Sequence, residues 1–86
     1  MRYIGIDVSK ATLMVAYPQD NKKYKTREFQ NTSNGIHTLI ATLQADDHCV
    51  MEATGNYSYL LLYLLNKAGI CTSMENPLKV KNFART

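Results

Sequence analysis

The sequence lacks the patterns that mark a disulfide-stapled or zinc-binding protein. Its two cysteines, Cys49 and Cys71, stand in apolar runs without CxxC spacing, so we expect buried free thiols and not a disulfide framework. The two histidines, His37 and His48, have no partner at metal-ligand spacing, and no zinc site is expected. These absences argue against a small secreted scaffold or a zinc module.

Long apolar runs are also missing. The longest apolar stretch, around residues 60–65, is far shorter than a membrane span. Asp7 interrupts the first apolar run, and no cleavage pattern follows it. We therefore expect a cytoplasmic protein without a membrane partner. With 86 residues, 45% of them hydrophobic and 20% charged, the chain has the size and composition of one small globular domain.

Basic residues slightly outnumber acidic ones and are unevenly placed. The net charge is +3 and the pI is 9.0, which is compatible with a nucleic-acid partner but does not identify one. One basic group lies within residues 22–27, and a second lies at Lys79, Lys81 and Arg85. We interpret the first group as solvated charges on an edge strand and the second as a candidate nucleic-acid contact.

The hydrophobic pattern predicts five strands, over residues 2–8, 11–17, 24–30, 48–52 and 70–74. The first strand alternates, so its apolar residues share one face and Asp7 lies on the other. The third strand is mostly polar, as expected at the edge of a sheet.

Three helices are predicted between and after these strands. The first, over about 33–44, follows from apolar residues at i, i+3, i+4 and i+7. The second is capped by Thr54 or Asn56 and ends before Gly69 at the C′ position. The third begins at Pro77. Three tyrosines of the second helical region are expected to pack against the fold: Tyr57, Tyr59 and Tyr63.

The predicted element order is β-β-β-α-β-α-β-α. The strand–helix–strand unit makes the fourth and fifth strands parallel, with a right-handed crossover. Placing the fourth strand beside the first gives a mixed five-stranded sheet in the order 3-2-1-4-5 with helices packed on it. This is the arrangement of a ribonuclease H-like α/β fold.

Two acidic residues stand where apolar strands end. Asp7 and Glu52 are predicted near the C-terminal ends of two parallel neighbours, the edge at which open α/β sheets bind ligands. Two carboxylates so close repel each other unless a divalent cation lies between them. Oxygen ligands suit Mg²⁺ or Mn²⁺. The pair therefore predicts a metal site of the kind that cleaves phosphodiesters, although each acid alone could simply begin a loop.

Three segments resemble one protein family. GIDVSKATLMVAY, VMEATGNYS and NPLKVKNFART are similar, in order, to the DEDD transposases of the insertion-sequence one-ten family, which are related to the Piv invertases. The resemblance covers nearly the whole chain and implies a RuvC-like N-terminal domain. It places the family's first acid at Asp7 and its glutamate at Glu52.

The resemblance also implies activity and partners. It implies strand cleavage and exchange during transposition with Mg²⁺ or Mn²⁺ as cofactor, DNA as substrate, a guide RNA from the element, and a homo-oligomer in the full-length protein. Asp7 and Glu52 would be catalytic metal ligands. The predicted nucleic-acid contacts are Lys10, Lys79, Lys81 and Arg85.

In the family, two further acids follow the stretch matched by the last segment, and a C-terminal domain carries a serine nucleophile. Residues 1–86 are therefore expected to be the N-terminal portion of the catalytic domain, truncated before the last two acids. Such a portion would bind metal weakly and be inactive alone.

Two other functions share features with this sequence. A half of a sugar-kinase or actin-like ATPase also opens with a strand-borne aspartate, but it needs a glycine-rich phosphate turn, and Val8-Ser9-Lys10 contains no glycine. A non-catalytic nucleic-acid-binding or assembly module with the same fold stays open as the alternative. Such a module would not require a Mg²⁺ ion at Asp7.

Overall fold

The computed structural model describes residues 1–21, 23–52 and 56–75. Within these ranges the strands are β1 Tyr3–Val8, β2 Thr12–Pro18, β3 Tyr24–Gln30, β4 His48–Glu52 and β5 Cys71–Glu75. The helices are α1 Ser33–Ile40 and α2 Tyr59–Lys67. The predicted third helix, the candidate cap Thr54 and the basic residues Lys22, Lys79, Lys81 and Arg85 lie outside the described residues.

The five strands form one mixed sheet in the order β3-β2-β1-β4-β5, which confirms the predicted order. β1 pairs antiparallel with β2, and β2 pairs antiparallel with β3. β4 pairs parallel with both β1 and β5. The predicted strand bounds are within about one residue of those observed, and Pro18 is the last residue of β2 instead of the first of a turn.

The core lies between one face of the sheet and the two helices. Alternation along β1 buries Ile4, Ile6 and Val8 and leaves Asp7 on the opposite face, as predicted. The buried residues of both helices join the strands in a single apolar cluster. Its other members are Leu13, Val15, Tyr17, Phe29, Ile36, Leu39, Cys49, Met51, Leu61, Leu65 and Ile70.

Helix α1 is shorter than predicted. The Thr32 hydroxyl accepts a hydrogen bond from the Gly35 amide at 3.1 Å and caps the N-terminus. A side chain at Gly35 would place its Cβ 2.0 Å from the Gln30 carbonyl oxygen, so only glycine fits this entry turn. The Ala41 amide still bonds four residues back, to the His37 carbonyl at 3.1 Å, but the Thr42 and Leu43 amides bond only three residues back, at 2.9 and 3.0 Å, so the α-helix ends at Ile40.

Helix α2 begins later than predicted and ends where predicted. Its N-cap is the buried Ser58, while Asn56 lies in the preceding turn, so the prediction of Asn56 as cap is wrong. At the other end, Gly69 has a φ of 79°, and the Ile70 amide bonds to the Leu65 carbonyl at 3.0 Å. This is the left-handed glycine cap expected at C′.

Two predictions about burial are wrong in part. Cys49 is buried, and burial raises the pKa of its thiol to about 12, but Cys71 is exposed on β5. The three tyrosines are 48–68% exposed and do not enter the core. Leu61 and Leu65 are the buried residues of α2 and pack into the core. The three tyrosines therefore lie on the opposite, solvent side of the α2 region. No helix in the described ranges is long and apolar enough to cross a membrane.

Candidate functional site

Asp7 and Glu52 occupy neighbouring positions on adjacent strands. Ile6 pairs with Met51 in the parallel register of β1 and β4, so the next residue on each strand is one of the two acids. Adjacent strands are about 4.8 Å apart. Both acids lie on the face of the sheet that α1 and α2 leave open, with Asp7 exposed and Glu52 half-buried.

The two carboxylates have no cationic partner among the described residues. The ion pairs in this part of the chain involve Asp46, with the N-terminal ammonium group, and Asp47, with Arg2. Among the described groups, no cation offsets the repulsion between the charges of Asp7 and Glu52. The backbone register also brings Glu75 of β5 beside Glu52. The described side chains contain no group of three or more potential metal ligands.

The edge of the sheet that holds the two acids is braced by Asn31. Its side-chain amide donates to the Ser9 carbonyl and to the Tyr57 carbonyl, each at 2.9 Å. Its backbone amide donates to the Ala11 carbonyl at 2.9 Å. One residue thus links the turn after β1, the start of α1 and the approach to α2. Asn31 begins the polar stretch NTSNG before α1, and nothing in that local pattern indicates its bracing role.

The first turn carries the basic residue predicted to contact nucleic acid. The Ser9 hydroxyl donates to the Thr12 carbonyl at 2.9 Å and closes the β1–β2 connection. Lys10 lies in this turn, is exposed, and follows Asp7 by three residues. Its ammonium group is therefore free to approach a ligand at the same edge of the sheet.

The opposite end of the sheet holds an acid, directly before β4, that no local sequence pattern singles out. Asp47 is buried and accepts two hydrogen bonds from Arg2, 2.9 Å from Nε to Oδ1 and 2.7 Å from Nη2 to Oδ2. The Gln44 amide donates to it at 2.8 Å. The Arg2 hydrogen bonds hold the pKa of Asp47 below its usual range, and the same bonds raise the pKa of Arg2.

With this geometry established, comparison with known proteins gives the family. Residues 4–86 match the family model of the IS110 DEDD transposases, which carries the description 'Transposase'. The chain belongs to this transposase family. The match confirms the resemblance seen in the three sequence segments.

Other comparisons add little. No curated protein matches the chain. One crystal structure, described as the Aquifex aeolicus member of the Ppx/GppA protein family, is similar at 14% identity and a TM-score of 0.41. The similarity covers 90% of this chain, which spans 35% of the length of that protein. At that TM-score it identifies no fold family.

Proposed function

We propose that residues 1–86 form the N-terminal part of a ribonuclease H-like (RuvC-like) catalytic domain in a DNA transposase. In this proposal Asp7 and Glu52 are two of the four carboxylates that bind the divalent metal needed for strand cleavage and exchange. The observation that carries the proposal is their juxtaposition on parallel neighbours in a member of the transposase family.

The donor set fits Mg²⁺ or Mn²⁺. Both residues offer carboxylate oxygens, neither has a cationic partner among the described side chains, and both lie at a sheet edge open to a ligand. A divalent cation bound there would activate an attacking oxygen or stabilise a leaving oxygen at phosphorus. Two carboxylates leave Mg²⁺ mostly hydrated, so these residues alone would bind it weakly.

The chain's own residues would bind the cation and orient the substrate. Asp7 projects from β1 and Glu52 from β4, so the rigid sheet sets their separation. Lys10 would contact a backbone phosphate near the reacting bond, and Asn31 would hold the surrounding segments in place. Lys79, Lys81 and Arg85 are proposed as further nucleic-acid contacts. A guide RNA and a homo-oligomeric full-length protein belong to the same proposal.

The alternative is a non-catalytic nucleic-acid-binding or assembly module with the same fold. The absence of a group of three potential metal ligands among the described side chains agrees with both proposals. The two proposals differ in whether Asp7 and Glu52 are required for cleavage.

The test is DNA cleavage by a full-length protein that carries this chain, with Glu52→Gln as the variant. We expect cleavage to fall at least about 1,000-fold, because the amide cannot replace an anionic metal ligand, while DNA binding is retained. Glu28→Gln is the matched control. Glu28 is exposed on β3 and pairs with Met14, which itself pairs with Asp7, so it stands two strands from Asp7. Near-normal cleavage by Glu52→Gln would overturn the metal-site assignment.

A further inference from the structure

An open cavity lined by polar and charged residues lies at the end of the sheet opposite the two acids. Its volume is about 290 Å³. Its lining residues carry three cationic groups, two hydroxyls and one amide, from Arg2, Lys25, Arg27, Tyr17, Thr42 and Gln19. Arg2 precedes Asp7 by five residues on an extended chain, which corresponds to about 17 Å. The cavity is therefore separate from the candidate metal site.

The edge strand supplies two of the cations. Lys25 pairs with Tyr17 and Arg27 with Val15 across β2 and β3, so both stand on the face of the sheet that carries α1 and α2. The Arg27 guanidinium lies 4.9 Å from the centre of the Phe29 ring, which holds it against the sheet. Neither Lys25 nor Arg27 pairs with an acid within the described part of the chain.

The third cation is fixed in place. Arg2 uses Nε and Nη2 to bind Asp47, and the carboxylate is buried behind it. A guanidinium has five N–H donors, so three remain after these two bonds. Asp47 balances one of the three positive charges, which leaves an excess of two at the cavity.

The other walls are held by their own hydrogen bonds. The Thr42 hydroxyl donates to the Leu39 carbonyl at 2.7 Å and is 2.7 Å from the Tyr17 hydroxyl. The Gln19 side-chain amide donates to the Tyr17 carbonyl at 3.3 Å. The cavity thus combines fixed neutral walls with the remaining N–H donors of Arg2 and with the Lys25 and Arg27 cations, which pair with no acid among the described residues.

We propose that this cavity binds a backbone phosphate of a nucleic-acid strand. Guanidinium forks and an ammonium group are the donors that recognise phosphate. The volume lies near the lower end of ligand sites, which suits one phosphate with part of its sugar. A contact this far from Asp7 anchors the strand outside the reacting bond, since phosphate contacts position a nucleic acid. The choice of nucleic acid over another phosphate carrier rests on the proposed transposase function.

The experiment measures binding of the 86-residue chain to a 12-nucleotide single-stranded DNA, its RNA equivalent, inorganic phosphate and an oligoglutamate of equal charge. All titrations contain EDTA, so the outcome does not depend on the metal site and is distinct from the cleavage test. We expect both oligonucleotides and phosphate to shift the NMR signals of Arg2, Lys25 and Arg27. Oligoglutamate should bind at least about tenfold more weakly than DNA.

Lys25→Gln and Arg27→Gln are the variants, because both residues are exposed and neither holds the core. Each should weaken oligonucleotide binding about fivefold and lower the salt slope of log Kd by about 1, as loss of one phosphate contact predicts. Lys67→Gln, which removes one positive charge from the end of α2, is the matched control and should change binding less than twofold. Equal effects of all three variants, signals shifting elsewhere, or equal binding of oligoglutamate would each overturn the proposal.

Discussion

The acidic residues at the two ends of the sheet lie in opposite environments. Asp47, at the end where β1 begins, is buried and satisfied by Arg2 and by the Gln44 amide. Asp7 and Glu52, at the end where β1 and β4 finish, lie next to each other without a cation in the described structure.

This difference separates a structural carboxylate from a functional one. A buried acid with a bidentate partner is part of the fold, and removing its partner costs stability. Adjacent acids without a partner add repulsion to the fold, and such a cost is common where function requires it. The same chemical change at the two ends should therefore have opposite consequences for stability.

The largest effect on stability is expected from Arg2→Gln. The substitution leaves the Asp47 carboxylate, whose side chain is 0% exposed, buried without its partner. We expect the free energy of unfolding to fall by about 3 kcal/mol, the range for a broken buried ion pair. Urea denaturation followed by circular dichroism measures it, with Lys67→Gln as the control for lost surface charge. A fall below about 0.5 kcal/mol would show that the pair is not structural.

Acid should weaken the same end of the molecule. The pKa of Asp47 is lowered in the folded state, so its stabilising contribution is present above the unfolded pKa of about 3.9 and is lost as the pH falls through the folded pKa. The free energy of unfolding should therefore drop over the pH window that begins near the unfolded pKa and extends below it. The Asp47→Asn variant should show a shallower decline over that window. An unchanged slope in this variant would assign the acid sensitivity to other groups.

The smallest effect is expected from Asp7→Asn. Neutralising this carboxylate removes repulsion with Glu52, so the melting temperature should stay unchanged or rise. Asp47→Asn, the same chemical change at the other end of the sheet, should lower it. Thermal unfolding of the two variants under identical metal-free conditions makes the comparison. A clear loss of stability in Asp7→Asn would make Asp7 a structural residue.

Most of the fold could be predicted from local patterns. Alternation in β1 and the glycine stop of α2 depend on neighbours in sequence, and the element order then fixed the sheet order. The errors arise where tertiary contacts decide. Cys71 is exposed because it pairs with His48, on the face of the sheet that the helices leave open. Tyr59 and Tyr63 are exposed because the opposite side of α2 packs into the core.

The candidate site could be predicted in part, for the same reason. Asp7 and Glu52 could be predicted because each lies near the end of an apolar strand. That pattern is local in the sequence. The Arg2–Asp47 pair joins residues 45 positions apart, and no sequence pattern around either residue indicates it. The cavity at Lys25 and Arg27 also needs α1 and β2 in place, so their charges alone indicated only a solvated edge.

The most direct test of the central claim, that Asp7 and Glu52 form one metal site, is a Mg²⁺ titration of the 86-residue chain followed by NMR. If the two residues share one metal, we expect the backbone signals of residues 7 and 52 to shift together, with a Kd on the order of 1 mM. Mn²⁺ should broaden the same signals, and either Asp7→Asn or Glu52→Gln should abolish both effects while Glu28→Gln leaves them intact. The claim would be contradicted if the signals at residues 7 and 52 did not respond to the metal. It would also be contradicted if they responded in Asp7→Asn and Glu52→Gln as strongly as in the unchanged chain.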